Sequence, residues 1–115
     1  MKDTMLHNVA EILGNGYKCY ANTESGEVYA VDEITVEQRE HPSIKEYVPL
    51  EGPVFYELMK KYCAQVEDFE KQSELMEAML YEQPFQNFKR KVYALHIADD
   101  WIAYRTKAIV EMLSK

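Results

Sequence analysis

Leu6, Val9, Ile12 and Leu13 fall at spacings that place them on one side of a short helix, and Gly14 and Gly16 supply its stop. Tyr17 to Ala21 and Val28 to Val31 are then rich in strand-favouring residues. They flank Asn22-Thr23-Glu24-Ser25-Gly26, a segment of turn formers with a glycine able to take a positive φ, so the pattern predicts a β-hairpin. Periodicity weakens from Asp32 to Gly52, where Thr35 to Glu40 can make one helical turn. Tyr47-Val48-Pro49-Leu50 reads as an edge strand, because Pro49 lacks the N–H that a central strand needs. It is predicted to join the hairpin as a third strand, since a two-stranded ribbon is only marginally stable by itself.

The second half of the chain is helical by the same test. Val54, Phe55, Leu58, Met59, Tyr62, Cys63 and Val66 repeat by three and four, behind a Gly52-Pro53 start. Leu75, Met76, Met79 and Leu80 form the next stripe, which must end before Pro84. Phe85, Phe88, Val92 and Leu95 form a third. Trp101, Tyr104, Ala108, Ile109, Met112 and Leu113 form the last, with Asp99 or Asp100 at its start to cap free N–H groups. The expected architecture is α+β: an N-terminal helix and a small antiparallel sheet, followed by a three- to four-helix C-terminal half. No repeat or linker divides it, so residues 1–115 are expected to form one domain.

Composition narrows the function classes more than it selects one. The chain has 115 residues, 47% apolar and 29% charged, the mix of an ordinary globular domain. Its formal net charge of -7 argues against duplex binding, which needs clustered Lys and Arg to displace counterions from phosphates. Cys19 and Cys63 stand alone without paired spacing and are read as reduced thiols. The first residues lack an apolar signal region and no run of about 18 apolar residues occurs. A cytoplasmic location with no membrane association is therefore the expectation.

Catalytic and cofactor signatures are missing. His7, His41 and His96 are scattered without metal-ligand spacing, and no phosphate loop, nucleophile elbow or dinucleotide fingerprint is present. No catalytic, cofactor-binding or metal site is assigned. Glu67, Glu70, Glu74 and Glu77 recur three or four apart, the spacing of a solvated helix face rather than of two carboxyls facing across a cleft. Opposed to this acidity is the run Lys89-Arg90-Lys91. With Phe88, Trp101 and Arg105 it makes a candidate partner-binding set, Phe88, Lys89, Arg90, Lys91, Trp101 and Arg105, although Phe88 and Trp101 also fall at core spacing. Lys60, Lys61 and Lys107 are further candidates for the same basic side. Lys89 could cap a helix end, lie over Trp101 or face a ligand.

The order of these features resembles the bacterial uncharacterised protein family number 0158. The resemblance rests on Glu24-Ser25-Gly26-Glu27-Val28, Tyr47-Val48-Pro49-Leu50, Pro84-Phe85-Gln86-Asn87-Phe88-Lys89-Arg90, and Trp101 followed by Tyr104. Ser25 stands where that family's turn has threonine, Asn22 where an aspartate is usual, and Glu82-Gln83 where its approach to the proline contains glycine. The resemblance implies a shared fold and transfers no activity, cofactor or partner. Two function classes follow. One is a non-enzymatic protein-interaction or regulatory module with an unidentified protein partner. The other is a small enzyme with a site assembled from scattered residues. Nucleic-acid association through residues 89–91 and Arg105 is a weaker third, and oligomeric state stays open.

Overall fold

A computed structural model describes residues 2–115. In chain order the elements are α1 (Lys2–Gly14), β1 (Cys19–Asn22), β2 (Val28–Ala30), α2 (Val36–Arg39), β3 (Ile44–Tyr47), α3 (Gly52–Gln65), α4 (Phe69–Ala78), α5 (Pro84–Ala94) and α6 (Ala98–Leu113). This is the α+β order expected, an N-terminal helix and a three-stranded antiparallel sheet followed by helices. The chain divides into two compact units. One comprises the chain up to Leu50 together with Thr106–Lys115; the other is Glu51–Arg105. Helix α6 runs unbroken through the change from the second unit to the first.

In the first unit, Met5, Leu6, Val9, Ala10 and Leu13 of α1 are buried, and the helix lies against β1 and β2. Gly16, at φ 89°, takes the left-handed conformation that ends the helical run. β1 is the central strand, and Cys19, Tyr20 and Ala21 are all buried within it. The hairpin turn is fixed by Asn22, whose side-chain oxygen accepts from the N–H groups of Glu24 and Ser25 at 2.9 and 3.0 Å. Gly26 completes that turn at φ 82°.

The third strand is displaced from its expected place. It is Ile44–Tyr47, pairing Asn22 with Ile44 and Cys19 with Tyr47, so Val48, Pro49 and Leu50 lie beyond it. Its Lys45 and Glu46 are exposed, as the charged positions of an edge strand are. Thr35 and Gln38 close a reciprocal capping box on α2, the single helical turn expected there.

In the second unit, α3 buries Leu58, Met59, Tyr62 and Cys63 of its predicted stripe, whereas Val54 in its first turn is exposed. Helix α4 departs from expectation. Its buried residues are Leu75 and Ala78, with Met79 just after, whereas Met76 and Leu80 are 53% and 79% exposed. Asp68 caps α4 by accepting from Lys71 N–H, which leaves Glu67 outside the helix. Phe88 and Val92 are buried on α5 and Trp101 on α6. Met112 is 40% exposed, while Arg105 and Thr106, both polar, are buried near the middle of α6. No helix among the described residues is long and apolar enough to cross a membrane.

Candidate functional site

The turn between α4 and α5 is built around one strained residue. Gln83 adopts φ 60°, ψ 54°, a left-handed conformation that costs a side-chain-bearing residue about 1–2 kcal/mol, directly before Pro84 at the start of α5. Asn87 holds the turn closed, donating from Nδ2 to the carbonyls of Glu82 and Ala78 at 2.8 and 3.3 Å. Farther along the two helices, Lys91 Nζ stands 3.6 Å from Glu74 Oε1. These contacts set α4 and α5 antiparallel, with Asn87 level with Ala78 and Lys91 level with Glu74.

Between the helices lies an open groove of about 580 Å³, lined by Glu74, Glu77, Ala78, Tyr81, Asn87, Arg90, Lys91 and Ala94. Its α4 wall is acidic, from Glu74 and Glu77, and its α5 wall basic, from Arg90 and Lys91. Ala78 and Ala94 contribute short side chains to its lining. Tyr81, 62% exposed, stands at the turn end, and its hydroxyl lies 3.5 Å from Glu77 Oε1. Among the described residues Arg90 and Glu77 take part in no ion pair.

The structure divides the sequence's candidate set rather than gathering it. Phe88 is 1% exposed and Trp101 4%, with ring centroids 4.9 Å apart in an edge-to-face contact. Tyr62 joins them, 5.1 Å from Trp101 and 6.4 Å from Phe88, and Phe55 meets Trp101 at 6.1 Å. These rings are the core of the second unit. Arg105 is also buried. Lys89 and Arg90 are exposed, and Lys91 is half-buried beside Glu74. Lys89 is not over the Trp101 ring, since the cations stacked on rings among the described residues are Arg39 on Tyr20 and Lys45 on Tyr47. Lys60 turns to Glu57 at 3.4 Å. The surface that survives from the set is Lys89, Arg90 and Lys91, and two of these line the groove.

Sequence reasoning missed Tyr81, which carries no motif, and gave Asn87 no role beyond its place in the resemblance segment; both gain significance only through the antiparallel register. It also missed a hydroxyl–imidazole contact in the first unit. Ser43 Oγ lies 2.6 Å from His41 Nδ1, and the Ser43 backbone N–H donates to the same nitrogen at 3.1 Å. An N–H can only donate, so Nδ1 is an acceptor and the Ser43 hydroxyl donates as well. The pair opens β3: the Ser43 carbonyl accepts from Thr23 N–H and Oγ1 at 2.8 and 3.0 Å.

Groups with displaced acidity lie elsewhere. Burial pushes the thiols of Cys19 and Cys63 up to about 11, which keeps both protonated and weakly nucleophilic at neutral pH. Burial, then the hydrogen bond to Asp100, raises Tyr62 well above the ordinary tyrosine value. No group of three or more His, Cys, Asp and Glu side chains converges among the described residues in a way that could hold a metal ion. No protein-family model matches the chain, and neither the curated proteins nor the solved structures contain a match to it.

Proposed function

We propose that this chain is a non-enzymatic protein-interaction module whose docking surface is the α4–α5 groove, acting in the cytoplasm of a bacterium as a relative of uncharacterised family 0158. The observation that supports the reading is the opposition of Glu74 and Glu77 to Arg90 and Lys91 across an open groove, with Tyr81 exposed at its end. Fixed charges of both signs on rigid helices favour one orientation of a docked protein and penalise others, and an exposed tyrosine adds apolar area at small entropic cost. Two reduced, deeply buried thiols agree with a reducing compartment.

The test is a photo-crosslinking residue at position 81 in the host cell, with a second at Asn15 in the other unit as control. One dominant covalent adduct from position 81, lost on joint Arg90→Glu and Lys91→Glu substitution, supports the module. Equal labelling from both positions removes the reading.

The contact between Ser43 and His41 favours a second reading, a hydrolase-like nucleophile and base. Against it, Ser43 is 7% exposed and its hydroxyl and N–H both serve to lock the start of β3. A fluorophosphonate probe that fails to label Ser43 in the folded chain ends that alternative.

A further inference from the structure

The charge arrangement of the groove restricts what can occupy it. Its α4 wall carries Glu74 and Glu77 and its α5 wall Arg90 and Lys91, so a partner surface of a single sign meets repulsion on one side whichever sign it has. The fitting surface carries a basic strip where this one carries an acidic strip, and an acidic strip opposite the basic one, at the same spacing. The groove itself is such a surface. A two-fold axis running along the groove turns a second copy face to face, carries its acidic wall over the basic wall of the first, and preserves every height along the helices. An isologous interface requires this kind of self-complementarity.

The heights agree as well. Glu74 and Lys91 neutralise each other within the chain at 3.6 Å, leaving Glu77 and Arg90 as the charges available to a partner. Glu77 is one residue from Ala78 on α4 and Arg90 one residue from Lys91 on α5. With Asn87 against Ala78 and Lys91 against Glu74, the two positions are offset by about 3 Å along the helix axes at 1.5 Å per residue, within the reach of an arginine side chain. The short side chains of Ala78 and Ala94 in the lining leave room for a close approach, and Tyr81 can lie against its symmetry mate, since the axis keeps it at the same height.

We propose that the partner of the α4–α5 groove is a second copy of this chain, in a two-fold dimer whose axis runs along the groove and which is held by reciprocal Glu77 to Arg90 ion pairs. This deepens the interaction-module reading and rests on it.

Sedimentation velocity over the micromolar to millimolar range, on wild type, Glu77→Arg, Arg90→Glu and the double substitution in one chain, tests the proposal. Both side chains are exposed, and circular dichroism checks that each variant is folded. Wild type is expected to self-associate. Each single reversal places like charges opposite one another twice in the dimer and raises its dissociation constant about tenfold or more. An equimolar mixture of the two single variants restores association, because a heterodimer regains both opposite-sign pairs, and so does the double substitution alone. A loss caused by misfolding cannot be rescued by mixing. Wild type that stays monomeric throughout, single reversals that associate like wild type, or mixing without rescue would each overturn the dimer. A monomeric wild type that still gives a heterologous adduct from position 81 removes the dimer and retains the interaction module. Absence of both removes the two together.

Discussion

The Tyr62 hydroxyl donates a 2.7 Å hydrogen bond to Asp100 Oδ2 across 38 residues of chain, tying the last turn of α3 to the first turn of α6. Tyr62 is 1% exposed and stacked among Phe88, Trp101 and Tyr104, so its hydroxyl has little access to water as an alternative partner. A hydrogen bond to a charged acceptor contributes about 1.5–3 kcal/mol. Tyr62→Phe keeps the ring packing and loses only that bond. It is expected to lower unfolding free energy by about 1–2 kcal/mol in urea titration, with an unchanged circular dichroism spectrum.

Phe88 and Lys89 are adjacent and should behave as opposites. Phe88→Ala removes a buried ring from the Tyr62 and Trp101 cluster and is expected to cost about 3–5 kcal/mol, enough to unfold a marginal unit. Lys89→Ala on the exposed side is expected to change stability by less than about 0.5 kcal/mol. Comparable losses at both positions would show that Phe88 is not the packing residue described.

Gln83 holds a glycine-like conformation without being glycine. Gln83→Gly removes about 1–2 kcal/mol of backbone strain and adds about 0.5–1 kcal/mol of chain entropy to the unfolded state, so stability is expected to hold or rise slightly. Gln83→Val puts a β-branched residue at a positive φ and is expected to cost about 1–3 kcal/mol. The order Gly, Gln, Val in melting temperature is the readout. Val melting as high as Gly contradicts the left-handed assignment.

Alkaline pH should destabilise the fold through its thiols. Cys19 and Cys63 have their acidity raised by burial from 9.0 to about 11, so between those values the folded state keeps protons that the unfolded chain has released. Their contribution is intact below pH 9.0 and is lost as pH climbs to about 11. With both thiols acting, the slope reaches about 2.7 kcal/mol per pH unit. Replacing both with alanine should flatten the curve between pH 9.0 and 10.0, above which the raised Tyr62 hydroxyl, ordinarily at 10.0, adds its own loss of stability. A wild-type curve flat across the same window refutes the burial of the thiols.

Much of the fold was legible because the apolar spacing of α1, α3 and α5 is regular and its stops are strong residues. Two elements were harder to read. β3 carries Lys45 and Glu46 between Ile44 and Tyr47, and so short an edge strand with charged middle positions leaves almost no alternation to detect. On α4, Met76 and Leu80 look as apolar as Leu75 and Met79, but the helix closes at Ala78 and Leu80 falls in the turn, outside the helical period. Buried Arg105 and Thr106 were invisible as core residues because both residue types are mostly exposed, and spacing alone does not mark a polar side chain as interior. The groove was half legible. Arg90 and Lys91 stood out as a basic run, whereas their opposition to Glu74 and Glu77 exists only once the Gln83 turn brings the helices side by side.

The division of the chain places unequal loop-closure demands on its two units. Residues 51–105 form one compact unit from a single continuous stretch, so its contacts close within that stretch alone. The other unit draws on both the chain up to Leu50 and Thr106–Lys115, so the whole intervening stretch must be closed as a loop before its two parts meet. Loop-closure entropy therefore favours assembly of the groove-bearing helices ahead of the first unit's completion.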